Sequence, residues 1–442
     1  MNQAPAPASH VRPSLLPTGR LRPLARFLKA TELDTRMLGL VGALLLIWIA
    51  FHVLSGGLFL TPRNLWNLSV QAAPVAIMAT GMALVIITRN IDLSIGSMLG
   101  FLGMIMGVMQ ADFLPRLLGF EHPATWVIAL AAGLALGVVI GALQGSLIAY
   151  LGLPSFIVTL GGLLVWRGAA WWVTSGQTVA PLDARFRLMG GGTEGSIGAA
   201  WSWAVGVLAC VALVLAQAHA RARRKKFHFP LRPMAAEVFL GGGACLLILG
   251  AVAVANSYPW PIGSVRRYAE ANHIALPAGG LFIAHGIAVP VLIAIGIGIA
   301  MTFLATRTRF GRYVYAIGGN REAVELAGVD ARWAIMKLFM LMGLLAGICG
   351  AVSIARLNAA TNSEGTLTEL LVIAAAVIGG SSLAGGVGTV AGAMLGAILM
   401  QSLQSGMVLV GVDTPLQNIV VGIVLVLAVL IDTLYRRRTR RA

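Results

Sequence analysis

Charge is scarce in this chain: 11% of its 442 residues are Asp, Glu, Lys or Arg, against 58% that are apolar. Soluble domains carry roughly 25% charged residues because a water-facing surface needs them. A composition this apolar over this length excludes a soluble fold and leaves a protein that crosses a membrane many times. Cysteine is nearly absent as well. Cys210, Cys245 and Cys349 each lie inside an apolar run, which excludes a disulfide framework and a metal-ligand spacing and leaves them as small buried hydrophobes. Lysine is confined to Lys29, Lys225, Lys226 and Lys337, none preceded by glycine, so no Gly-x-x-x-x-Gly-Lys phosphate loop occurs. His-Glu-x-x-His and a convincing nucleophile elbow are also missing. The chain therefore reads as a non-enzyme, with no catalytic residue, metal or cofactor of its own.

Acidic residues number 16 and basic ones 32, a net charge of +16. Nucleic acid is one explanation of such a balance, but the positions decide against it. Six basic residues precede Leu38, six lie from Arg221 to Arg232, six from Arg307 to Lys337 and five from Arg436 to Arg441. All four clusters flank hydrophobic spans, which is the pattern that cytoplasmic loops of membrane proteins show. Residues 1–37 read as a basic cytoplasmic tail, since no short apolar core with a cleavage site follows as in a signal peptide. Residues 436–442 read as a second basic cytoplasmic tail.

A membrane-spanning helix needs about 20 mainly apolar residues. Candidates lie at 38–58, 69–88, 95–111, 124–149, 155–174, 201–218, 236–255, 286–306, 332–355, 388–410 and 417–435. The expected fold is thus all-α and polytopic, with about 10–11 spanning helices in a transmembrane domain over 38–435. Leu370 to Ala384 is too short to cross and is interrupted by Gly379, Gly380, Gly385 and Gly386, so it reads as a re-entrant or broken helix. With both tails in the cytosol, loops 219–234 and 307–331 fall inside, and the count closes only if 370–410 enters and leaves as a pair. The stretches 177–200 and 256–285 fall outside, the second as a solvated surface loop. Gly133, Gly137, Gly141 and Gly145, like Gly388, Gly392 and Gly396, recur every four residues, a ridge that lets helices approach closely.

The chain is organised around Phe310 to Phe339, a long polar stretch with helical pattern between two spans. Gly318 and Gly319 supply a break, Asn320 an N-cap, and Glu322, Ala323, Val324, Glu325 and Leu326 a short amphipathic helix that Gly328 ends. Asp330 caps the next span. A short helix offered to the cytosol by a membrane protein implies a partner there.

That stretch resembles the loop by which sugar-type ABC importer permeases contact their ATPase subunit. Gly81 to Gly96 (with Thr-Arg-Asn-Ile-Asp-Leu-Ser-Ile-Gly), Pro154 to Gly168 and Val377 to Gly388 resemble the same family, in the right order. The likeness is strongest to its D-xylose-carrying branch and covers about Met37 to Asp432. It implies a permease of the cell (inner) membrane that passes a monosaccharide, D-xylose first, between a periplasmic or extracellular sugar-binding protein and the cytosol. It also implies a separate ATPase subunit that supplies the energy, and a homodimer of permeases. Arg89-Asn90 departs from the family, which usually has Gly followed by Gly or Glu there.

Asp92 is the only acid between Gln71 and Gln110, and an ionisable group near membrane depth is a functional candidate. Its plainer reading is a cap, by Asp92 or Ser94, on a helix from Ile95, with Arg89 paired to Asp92 or reaching the interface. A neutral sugar needs hydroxyl and amide groups, which makes Ser155, Thr159, Asn358, Asn362, Ser381 and Ser382 pathway candidates, with Gly379 and Gly380 at the helix break. Ordinary interhelical hydrogen bonding is the competing reading. Phe156, Trp166, Trp171 and Trp172 stack on sugar or form an interfacial belt. Arg167 and Arg356 read as snorkelling charges at span ends. A gradient-driven secondary sugar transporter is the rival function, but such carriers line a relay with several carboxylates, and here Asp92 stands nearly alone. A channel with its filter near Gly379 lacks an acidic or carbonyl signature.

Overall fold

The computed structural model describes residues 35–277 and 280–439. The tail expected at 1–37 lies almost wholly outside them, as do residues 440–442 of the second tail. The helices are α1 (Thr35–Leu54), α2 (Pro62–Ile87), α3 (Ile95–Leu118, with a π-turn at Met109–Phe113), α4 (Thr125–Ala149) and α5 (Ser155–Thr174). There follow α6 (Gly198–Lys226), α7 (Met234–Asn256), α8 (Ile262–Ala271), α9 (Val289–Arg307), α10 (Arg309–Gly319), α11 (Arg321–Leu326) and α12 (Ala331–Leu357). The last are α13 (Thr368–Ile378), α14 (Val390–Leu409) and α15 (Thr414–Thr439). Among the described residues ten helices are long and apolar enough to cross a membrane, and α13 and residues 414–430 form shorter apolar helices. The protein is an all-α polytopic membrane protein.

Contacts divide the chain into two units. In the smaller, residues 209–247, the distal parts of α6 and α7 form a hairpin. There Arg221 donates to Glu237 at 2.7 Å and to the Arg232 carbonyl at 3.2 Å, and the Cys210 thiol lies 3.8 Å from the Cys245 carbonyl.

The larger unit is built on α2 and α12. A helix apolar on every side belongs in a core, and every residue of α2 from Ala72 onward is buried. Thr61 caps its first turn and Pro62 starts it, as a helix N-terminus favours. The glycine ridge of α4 does what its spacing predicts. A Cβ at Gly137 would lie 2.3 Å from the Gly343 carbonyl of α12, and one at Gly141 2.2 Å from that of Phe339, so only glycine lets these backbones touch.

The region after α12 runs down the larger unit and back, and not as a simple re-entrant loop. At about 1.5 Å per residue the 11 residues of α13 cover about 16 Å, half of a hydrocarbon core. The other half is made by non-helical chain descending beside α3: Ala360 lies against Gly107, Glu364 against Gly100 and Gly365 against Gly96. Glycine-rich residues 379–388 then turn the chain, Thr389 caps α14, and α14 runs back beside α2. Its far end meets Trp48 through Ser402 at 2.9 Å and Asn64 through Ser405 at 3.2 Å.

The stretch 256–285 is more than a solvated loop. Tyr258 and His285 stack at 4.3 Å, Trp66 packs on both, and the Trp66 indole donates to the Gly286 carbonyl at 2.8 Å. Burial of the ring lowers the His285 pKa, partly countered by the Tyr258 carbonyl. The α8 helix within it buries Val265 and Ala269. Alternation of a few apolar residues in a Gly- and Pro-bearing stretch carries too weak a period to announce this.

Candidate functional site

Two groups of polar residues gather at one end of the larger unit, around the turn from Thr88 to Ser94. The turn begins with Arg89, whose φ of +64° follows the last turn of α2. Its N–H bonds back to the Ile86 carbonyl at 2.9 Å, the left-handed helix exit for which glycine is the usual residue. The cap expected of Asp92 or Ser94 is not made, since Ser94 stands at the N-cap of α3 without a side-chain bond to its first turn. Asp92 instead fixes the turn that leads into the helix: Oδ1 accepts from the Ser94 N–H at 2.9 Å and from the Ser94 hydroxyl at 2.7 Å. It is fully buried, and burial pushes its carboxyl up to about 6, with the two Ser94 bonds pulling the other way. On the far side of the turn, Ile91 accepts from Thr159 at 3.2 Å and donates to Ser155 at 3.3 Å.

Arg89 does not pair with Asp92. Its Nε donates to the Gly318 carbonyl at 3.0 Å and its Nη2 to that of Gly319 at 2.9 Å. These are the last carbonyls of α10, which no intrahelical N–H can satisfy and where a cation meets the negative end of the helix dipole. The reason is directional: at positive φ the arginine is carried away from the buried carboxylate toward the α10–α11 junction.

That junction has the caps its sequence specifies. Asn320 accepts from the Ala323 N–H at 3.1 Å, Glu322 sits in the first turn of α11, Gly328 exits at φ +80°, and Asp330 accepts from the Trp333 N–H at 2.9 Å. Val324 is buried while Leu326 is 90% exposed. Gly318 is locked in place, since a Cβ there would lie 1.9 Å from the Ile87 carbonyl, whereas Gly319 has open space.

The glycine-rich break joins the same place. The Gly386 N–H donates to the Ile87 carbonyl at 2.9 Å and the Tyr315 hydroxyl of α10 to the Gly388 carbonyl at 2.8 Å. Gly379 packs against the carbonyl of Gly392 and Gly380 takes a φ of +94°. Ser381 and Ser382 are buried, and a Cβ at Gly388 would lie 2.8 Å from the Ser381 Oγ and 2.9 Å from the Ile87 side chain. Asp92, Ser94 and Thr159 thus meet at the turn, and Ser381 comes to its Ile87 end beside Gly388, while Gly379 packs on Gly392 and Ser382 bonds within the break.

Phe156 and Asn358 do not join them. Phe156 is 52% exposed near the start of α5, and Trp171 and the 80% exposed Trp172 are exposed near its end, as an interfacial belt would have them. Asn358 lies at the opposite end of α12, where its Oδ1 accepts from the Leu182 N–H at 3.1 Å. Nearby is a cavity of about 630 Å³ lined among others by Arg187, Arg267, Arg356 and Glu194, with Trp260 and Tyr268.

Residues 64–429 match the family described as branched-chain amino acid transport system / permease component. The chain belongs to this permease family. It is 36% identical over 92% of its length to the xylose transport system permease protein of Escherichia coli strain K12, of which it covers 94%. It is 35% identical over 90% of its length to the Haemophilus influenzae xylose permease protein (96% of that chain) and 31% over 88% to the E. coli K12 ribose import permease protein (91% of that chain). No solved structure matches.

Several polar residues of this permease escaped the sequence reading. Arg167 does not snorkel: it donates to the Asn362 and Glu364 carbonyls at 3.0 and 3.1 Å, satisfying the non-helical chain that descends beside α3. Gln144 of α4 and Glu369 of α13 are buried. A polar residue amid an apolar run was the only sequence signal for them.

Proposed function

We propose that this permease is the membrane subunit of an ATP-driven importer that passes a monosaccharide, D-xylose, into the cell. The 36% identity to a xylose permease over 92% of the chain carries this reading. A separate ATPase subunit docks on α10 and α11, where the bare Leu326 side chain and the charged first turn await a partner. A separate binding protein delivers the sugar at the opposite end, where three arginines against one glutamate suit an acidic surface. Two permease copies form the pathway in the inner membrane. The basic clusters orient each copy with its termini and the 307–331 loop in the cytosol.

In this mechanism the chain supplies the two-state element and the ATPase the free energy. Displacement of α11 moves the α10 carbonyls, Arg89 carries the movement into the turn at Asp92, and Tyr315 carries it into the glycine-rich break. The test is uptake of labelled xylose by cells with and without the gene, treated in turn with an uncoupler and with an agent that depletes ATP. Gene-dependent uptake that fails on ATP loss and survives the uncoupler is the expected result. Collapse under the uncoupler with ATP intact gives the function to a gradient-driven carrier.

A further inference from the structure

Five buried polar atoms have no hydrogen-bond partner among the described residues and lie on segments packed around the first turns of α3: Asp92 Oδ2, Gln144 Nε2, Trp166 Nε1, Asn362 Oδ1 and Glu369 Oε2. Their neighbours place them. A Cβ at Gly162 would lie 2.3 Å from Gln144 Nε2, 3.2 Å from the Ser94 Cβ and 3.3 Å from Trp166 Nε1. One at Gly96 would lie 2.1 Å from Glu369 Oε2, and one at Gly100 2.5 Å from the Glu364 carbonyl, two residues beyond Asn362. Asp92, Gln144 and Glu369 are 0%, 2% and 6% exposed.

A buried polar group without a partner is costly, and most folds leave few. Gln144 remains short in either amide orientation. The Ser94 hydroxyl lies 2.7 Å from Asp92 Oδ1 and 3.1 Å from Gln144 Oε1, and its single proton goes to the carboxylate. Turned over, the amide would donate to Ser94 and leave its oxygen free instead. The Trp166 ring is stacked on Phe101 with centroids 5.6 Å apart, and its N–H edge has no partner.

Resting on the permease reading above, we propose that Asp92, Gln144, Trp166 and Glu369 form a sugar-binding subsite within the helix bundle. It is closed in this conformation and opens when the α13 segment parts from α3. The chemistry fits a neutral polyol. The set offers donors from Gln144 and Trp166 and acceptors from Asp92 and Glu369, and each sugar hydroxyl both gives and takes a hydrogen bond. The broken span supplies the opening, because the non-helical chain from Ala360 to Leu367 is held to α3 by close backbone contact and to α5 by Arg167.

A subsite kept for ligand makes an unusual prediction: removing its idle polar atoms should stabilise the resting protein while it spoils transport. The permease is assembled with its ATPase and binding protein, and Gln144→Met and Trp166→Phe are compared with wild type. The expected result is a melting temperature raised by about 1–3 °C. Xylose uptake falls at least tenfold, and ATP hydrolysis stimulated by the binding protein persists. Wild-type uptake in both variants overturns the proposal. So does a melting temperature that falls together with uptake, since that marks a structural role. Wild-type protein that imports no sugar with ATP fails the permease reading itself and takes this subsite with it.

Discussion

Asp92 carries an energetic cost that Ser94 only partly offsets. Its carboxyl titrates at about 6 when folded, above the ordinary 3.8, because burial disfavours the anion. The folded state therefore binds this proton more tightly than the unfolded chain. The stability it brings is complete below pH 3.8, is lost as pH rises through about 6, and stays lost above. The difference between about 6 and 3.8 corresponds to about 3 kcal/mol. Asp92→Asn keeps the acceptor that bonds Ser94 and removes the charge. Its melting temperature should exceed wild type at pH 7.5 and converge with it near pH 4.5, and a constant gap between the two proteins at both pH values contradicts the assignment. The lone acid was conspicuous in the sequence, but the helix cap expected of Asp92 or Ser94 is replaced by a bond between the two, just ahead of α3. The partner of Arg89 was not legible, because it depends on a backbone angle and on a helix some 230 residues away.

At the scale of the elements, glycine spacing decides which helices touch. Gly141→Ala should destabilise by about 1–3 kcal/mol, since its Cβ meets the carbonyl of Phe339, which cannot swing aside as a side chain can. Gly168→Ala on α5, with nothing within 4 Å, is the matched control and should melt as wild type does. The short α11 was readable from its caps because Asn320, Gly328 and Asp330 act locally. Its link to the rest was not. Arg89→Ala should leave the ATPase subunit attached and raise the ATP spent per sugar imported, with Arg89→Lys recovering part, since an ammonium is a point donor where the guanidinium is a fork. An unchanged ratio of ATP to sugar removes Arg89 from the coupling path.

For the larger unit as a whole, the two ends differ in kind. One end is held by backbone contacts among α2, α10 and the glycine-rich break, and the other carries a basic cavity framed by the α8 region. Arg267→Glu reverses one charge at that cavity without touching the core. It should raise several-fold the binding-protein concentration that gives half-maximal uptake, more at low salt than at high, as screening requires. Insensitivity to salt in both proteins would locate the docking surface elsewhere.

The sequence by itself determined that the chain is an all-α, many-times-crossing protein, where most of its long apolar helices lie, and how the 310–339 stretch is capped; the span expected at 417–435 is a shorter apolar helix. Those properties follow from hydropathy, length and side chains acting on their own backbone. Only the tertiary structure decided that residues 360–367 run beside α3 as a chain of turns, that Arg167 satisfies the Asn362 and Glu364 carbonyls, and that Gln144, Trp166 and Glu369 converge on α3. A polar residue in an apolar helix has the same local pattern whether it faces a neighbour, the lipid or a ligand. Which of these it meets is set by the rotation and depth of the helices around it, and those are fixed by contacts distant in the chain.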